Sequence, residues 1–235
     1  MSNILIASFY KSGSNHIADS LASLLGSRRT FLHKSGEGYA QDTQRLDPHV
    51  ADIMFNRLDG MIYLGHVMGT RHNLGIINVF KPSTIVTMRK LFPCLHSLRK
   101  YDDRLVREDK KGNAYSNDDW PCLTNEQKWL WVAYNAIPWY YQYYVSWMKA
   151  DLDYLPVWYE DHFSDQIASA KRILKFLNVC GLSDEQISKS FLHFNSGYTQ
   201  DRSVIEMPVF VREIAYNQAR AWGPWEKRIV EELLD

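Results

Sequence analysis

The chain has 235 residues, with 27 Lys+Arg balanced by 27 Asp+Glu and a formal net charge of zero. A protein whose main partner is duplex nucleic acid neutralises many phosphates with clustered cations, so this balance argues against that class while leaving room for a local anion pocket. Hydrophobic residues at 46% and charged residues at 23% exclude a disordered chain, and the longest apolar runs fall far short of a membrane span.

Residues 3–9 (NILIASF) are a short apolar run rich in isoleucine, which predicts a buried strand. From Asn15 the period changes: Ile17, Leu21, Leu24 and Leu25 fall at helical spacing and Gly26 marks the end. Residues 27–46 are polar with two glycines and read as a surface excursion beside a binding site. Asp47-Pro48 offers an N-cap and a first-turn proline for a short helix to about Phe55. Residues 60–65 (GMIYLG) predict a second buried strand ending at His66, and residues 84–88 (TIVTM) a third ending at Arg89. A helix over 91–105 follows, then a charged loop over 106–124, then a long helix over 125–149 kinked at Pro138. Residues 155–159 (LPVWY) read as a fourth strand, followed by an amphipathic helix carrying Ile167, Ile173, Leu174, Phe176 and Leu177. Further helices complete the chain, the last over 225–234.

Strands that alternate with helices predict an α/β fold: a single domain over 1–235, three-layered and P-loop-like, with a mainly parallel sheet covered by helices on both faces. Ligands of such sheets bind beyond the carboxyl ends of the strands. Lys11, His66, Arg89 and Glu160 each follow a proposed strand end, which places four polar groups along one edge. Three scattered cysteines (Cys94, Cys122, Cys180) with no CxxC form neither a disulfide framework nor a zinc site. Together with an N-terminus that runs straight into the first strand, without a basic leader, they point to the cytoplasm.

The segment Tyr10-Lys11-Ser12-Gly13-Ser14-Asn15-His16 carries the most chemistry. A glycine-containing loop that opens a helix presents backbone N–H groups at the positive end of the helix dipole, and Lys11 adds a full charge; this combination binds phosphate. It is not the GxxxxGK[ST] loop, whose glycine spacing it lacks. The segment resembles the 5′-phosphosulfate loop (PKSGTTW) of the sulfotransferases, which move a sulfuryl group from 3′-phosphoadenosine 5′-phosphosulfate (PAPS) to a hydroxyl or amine and release adenosine 3′,5′-bisphosphate (PAP). Two further motifs follow in the order that family has them. Arg89 at a strand end with Ser97 eight residues on resembles its 3′-phosphate motif, where a guanidinium fork and a hydroxyl serve one phosphate. Val157-Trp158-Tyr159-Glu160-Asp161 before ASAKRILKFLNV resembles its strand–YED–helix segment.

The resemblance implies roles for individual residues. Lys11 stabilises charge on the leaving phosphate and His66 is the general base, a task suited to a group that ordinarily titrates near neutral pH. Ser12, Gly13, Ser14, Asn15 and His16 hold the 5′-phosphate and nucleotide, with His16 where the family has a tryptophan over the adenine. Arg89 and Ser97 take the 3′-phosphate, and Tyr159 lies near the adenine. The family's C-terminal Arg-Lys-Gly is not intact here. Only Gly223-Pro224-Trp225 keeps its Gly-x-Trp, so Arg220 is expected to supply the missing cation, with Arg212 and Arg202 as alternatives. No metal is expected.

The aromatic segment 129–147 (Trp129, Trp131, Tyr134, Trp139, Tyr140, Tyr141, Tyr143, Tyr144, Trp147) reads as packing, as a wall for a sugar, phenolic or lipid-like acceptor, or as a homodimer interface. Two other functions compete. A P-loop-like nucleotide kinase would need Mg²⁺ ligands such as an Asp at a strand end, and none lies beside the early strands. A non-catalytic nucleotide-binding protein of the same fold would bind PAP and transfer nothing. The partners expected are thus a nucleotide donor and a small-molecule acceptor, with no nucleic acid and no membrane span.

Overall fold

The structure, a computed structural model, describes residues 2–32, 44–56, 58–107, 119–193 and 207–235. Contacts group the chain into two compact units: Met1–Met88 with Ser146–Asp201, and Arg89–Val145 with Arg202–Asp235.

The first unit is built on five parallel strands, β1 (Ile4–Ser8), β2 (Arg28–Phe31), β3 (Met61–Gly65), β4 (Ser83–Met88) and β5 (Leu155–Trp158), in the order β2-β3-β1-β4-β5. β1 is central, with Ile4 paired to Ile62 on one side and to Ser83 on the other. The chain builds to one side of β1 and then to the other, so the topological switch lies beside β1, where open α/β sheets bind their ligands. Every residue of β1 is buried, which explains its continuous apolar run. Helix α1 (Ser14–Leu25) covers one face, and its Ile17, Ala18 and Leu21 join Ile4, Ile6, Ile62 and Ile85 in one apolar cluster. The cluster continues through Ile173 and Leu174 of α7 (Gln166–Phe176) and Ile187 and Phe191 of α8 (Asp184–His193).

Two elements differ from the sequence expectation. β2 lies inside the polar stretch read as a surface excursion; as an edge strand with its first residue exposed, it carries Arg28, Arg29 and Thr30 rather than an apolar run. Helix α3 (Arg71–Phe80) was not predicted at all. It follows α2 (Pro48–Asn56), is N-capped by Thr70, and is anchored by fully buried Asn73, whose amide donates to Gln44 and Met68 carbonyls while its Oδ1 accepts from Leu46 N. A polar anchor of this kind breaks the apolar period that sequence reading relies on.

The second unit contains α4 (Leu91–Arg107), all but the last turn of α5 (Asn125–Met148) and α9 (Val209–Arg220), before short helical turns close the chain. α5 runs through Pro138 as one helix of 24 residues. Of the rings in segment 129–147, Trp129, Tyr140, Tyr141, Tyr143, Tyr144 and Trp147 are fully buried, and only Tyr134 stands well exposed at 61%. The Tyr141 hydroxyl donates to the Ala215 carbonyl at 2.8 Å, and burial pushes its phenol above the ordinary range. Packing is therefore the main role of this segment. Of the surface excursion over 27–46 and the charged loop over 106–124, residues 33–43 and 108–118 lie outside the described residues, as does Arg202.

Candidate functional site

The loop after β1 is held by its own polar groups. Phe9 N extends the sheet by donating to the Thr87 carbonyl, and the Phe9 carbonyl then accepts from both Ser12 N (3.2 Å) and Ser12 Oγ (2.6 Å). With its proton given to Phe9, Ser12 Oγ accepts from Thr87 Oγ1 at 2.7 Å. This buried hydroxyl ties the loop to the end of β4.

Two residues in this turn are left-handed, Lys11 at φ 61° and Gly13 at φ 77°. Left-handed residues between right-handed ones form the backbone nests that bind anions, and a lysine held there costs about 1 kcal/mol or more in strain. Gly13 is the N-cap of α1 and no side chain caps the helix; Ile17 N reaches back to Gly13 O at 3.2 Å. The amides of Ser14 and Asn15 stand ahead of it at the positive end of the dipole. The Asn15 side chain is oriented from β2: Arg29 Nη1 donates to Asn15 Oδ1 at 2.8 Å while its Nε pairs with Asp19 at 2.6 Å. With Oδ1 engaged as acceptor, the Asn15 amide keeps its NH₂ as the donor end.

Helix α6 (Tyr159–Ser164) begins at the end of β5 and packs on this loop. A Cβ at Gly13 would stand 3.0 Å from both Tyr159 Cδ2 and Phe163 Cε2, so the two rings form a wall set close against the glycine. The rings pack on each other with centroids 4.3 Å apart. Tyr159, expected near the nucleotide, thus sits beside the loop, in a helix rather than in the strand.

His16, expected over the adenine, lies in the interior of the first unit. It is 1% exposed, and its Nε2 lies 3.0 Å from the Phe191 carbonyl while Nδ1 lies 3.3 Å from His162 Nε2. His162 Nδ1 in turn meets Ser169 Oγ at 2.9 Å. The shorter imidazole has turned into the interior among Phe163, His162 and Phe191. Burial lowers the pKa of both histidines, His162 to about 3, with the neighbouring His16 and Arg172 adding to the effect.

His66, directly after β3, is 8% exposed. Its Nδ1 lies 2.7 Å from the Ser8 carbonyl oxygen and 2.9 Å from Ser8 Oγ, and the Tyr10 ring stacks on it with centroids 3.7 Å apart at 32°. The first unit therefore unites the Lys11–Asn15 loop, Tyr159 and, through Tyr10, His66. Ser8 and Phe163 belong to this assembly and were not singled out in the sequence; the signal for Ser8 was its place as the last residue of the central strand.

Within the second unit, Arg89 follows β4 in the chain and Ser97 lies half-buried on α4. Of the described C-terminal candidates, Arg212 sits in the first turn of α9 with its guanidinium over the Phe92 ring of α4, 4.6 Å from the centroid. Arg220 is exposed at the other end of α9, about 12 Å away along the helix axis. Packing thus ties Arg212 to the helix that carries Ser97. Among the described residues, no group of three or more His, Cys, Asp or Glu side chains is arranged to hold a metal, and no helix is long and apolar enough to cross a membrane.

A five-stranded parallel sheet flanked by helices, with a glycine-containing loop leading from its central strand into α1, defines an α/β fold whose switch point lies at that loop. More narrowly, the fold is that of the sulfotransferases. Solved structures similar to this chain include mouse sulfotransferase SULT7A1 complexed with PAP, at 17% identity and TM-score 0.54 over 81% of this chain and 64% of that one. They also include retinol dehydratase in complex with androsterone and inactive cofactor PAP, at 14% identity and TM-score 0.52 over 98% of this chain and 81% of that one. The chain thus spans slightly under two thirds of the length of the mouse enzyme. No family model and no curated protein matches the sequence.

Proposed function

We propose that the chain is a PAPS-dependent sulfotransferase acting on a hydroxyl or amine of a small-molecule acceptor. The observation that carries this reading is the uncapped N-terminus of α1, preceded by left-handed Lys11 and Gly13 and walled by Tyr159, in a fold whose solved neighbours hold PAP. The donor set suits an adenosine 5′-phosphosulfate: backbone amides and one lysine for anionic oxygens, and aromatic rings beside them for a base.

PAPS supplies, when bound, a sulfuryl group on a phosphate leaving group, so that an acceptor oxygen replaces a phosphate oxygen at sulfur. Lys11 and the amides of Ser14 and Asn15 hold the charge that develops on that phosphate. His66 accepts the acceptor's proton as the new bond forms. Arg89, Ser97 and a C-terminal arginine take the 3′-phosphate through charge-assisted hydrogen bonds. The Ser12 hydroxyl braces the loop that holds the 5′-phosphate.

The test is transfer of label from ³⁵S-PAPS to a panel of phenols, alcohols, sugars and amines, with chelator present. Labelled product with at least one acceptor, lost in Lys11→Ala, is the expected result. Binding of PAP with no transfer to any acceptor class would assign the chain to a non-catalytic nucleotide-binding role, and transfer of phosphate from Mg²⁺-ATP would make it a kinase.

A further inference from the structure

The hydrogen bonds of His66 define which of its nitrogens works. Nδ1 lies 2.7 Å from the Ser8 carbonyl oxygen, and a carbonyl only accepts, so the proton of the neutral ring sits on Nδ1. Ser8 Oγ, 2.9 Å from the same nitrogen, donates its own proton to the Gly65 carbonyl at 3.2 Å and thereby turns a lone pair toward Nδ1–H. The two oxygens flank one donor in a three-centre arrangement. Flipping the ring would put a carbon where Nδ1 now meets both oxygens, and the Tyr10 ring stacked at 3.7 Å resists that rotation. Strand register makes the arrangement: β1 and β3 pair Ala7 with Gly65, so the next residue of each, Ser8 and His66, meet just past the paired segment.

We propose that Ser8 is the positioning residue of the base: through its carbonyl and hydroxyl it fixes His66 in the Nδ1–H tautomer, so that Nε2 carries the lone pair that takes the acceptor's proton. The inference rests on His66 being the base of the proposed reaction. The proton taken by Nε2 leaves a cation whose Nδ1–H still points at the Ser8 oxygens, which stabilise it. A carboxylate does this in the serine-protease triad; here a strand-end carbonyl and one hydroxyl do it without adding charge beside an anionic donor.

Two measurements test the proposal. Ring-¹⁵N histidine NMR of the full chain at pH 8, with His66 assigned by comparison with His66→Gln, reads the tautomer directly and needs no turnover. The expected result is protonated Nδ1 and unprotonated Nε2; an Nε2–H ring, or a fast mixture of the two, overturns the proposal whether or not the chain transfers sulfuryl groups. Ser8→Ala should lower kcat about three- to tenfold, the worth of one hydrogen bond, with KM for PAPS and affinity for PAP unchanged, and Ser8→Thr should restore it. An unchanged kcat in Ser8→Ala removes the hydroxyl from the role. If no acceptor is ever turned over, the sulfotransferase reading falls, and the NMR result still decides the tautomer.

Discussion

A methyl group on Gly13 would come within 3.0 Å of Tyr159 Cδ2, tighter than an ordinary van der Waals contact, so the loop after β1 and the helix after β5 meet at a residue that has no side chain. Gly13 is also left-handed at φ 77°, which an L-residue adopts only with strain. Gly13→Ala should therefore lower stability by about 1–3 kcal/mol. Urea denaturation checks this, and PAP affinity should fall with it because Tyr159 or the loop must shift.

Lys11 is half-buried in a left-handed conformation that alanine adopts at the same cost, so Lys11→Ala should leave the melting temperature nearly unchanged. Its turnover with PAPS should drop by about 10²–10³, the usual loss for one preorganised charge-stabilising donor. Steady-state rates alongside thermal melts separate the two effects.

The His16–His162 pair makes the first unit sensitive to acid. Folding lowers both pKa values from 6.5, His162 to about 3, so below pH 6.5 the unfolded chain binds protons that the folded chain refuses. Stability is thus fully present above pH 6.5 and falls as pH drops below it; His162 alone costs about 2 kcal/mol at pH 5. Asp19 partly opposes this at His16, while Arg172 reinforces it at His162. Urea midpoints at pH 7.5 and 5.0 should differ more in the wild type than in His162→Gln.

Arg212 packs over Phe92 on the helix that bears Ser97, whereas Arg220 lies at the far end of α9. On this account Arg89→Ala and Arg212→Ala each weaken PAP binding about tenfold or more, with little effect on AMP, which lacks the 3′-phosphate. Arg220→Ala should matter less. Calorimetric titration of the three variants with both nucleotides ranks them.

The strand–loop–helix at residues 4–25 and the strands around Tyr63 and Val86 were legible because buried parallel strands are continuous apolar runs and the loop has a short, position-specific signature. β2 was hidden because an edge strand tolerates Arg28 and Arg29, and α3 because its anchor, Asn73, is polar. The loop lysine and glycine could be read from type and order alone. The inward turn of His16 could not, since it depends on Phe191 and His162, 175 and 146 residues away. Nor could the Ser8–His66 bond, which depends on the register between two strands.

The central claim is that this chain binds a nucleotide bearing phosphate at both the 3′ and 5′ positions. Isothermal titration with PAP, AMP and ATP in the presence of chelator tests it most directly. The account predicts tight, metal-independent binding of PAP, at least tenfold stronger than AMP and weakened in Lys11→Ala. Equal affinity for PAP and AMP, or binding of ATP alone and only with Mg²⁺, would contradict it.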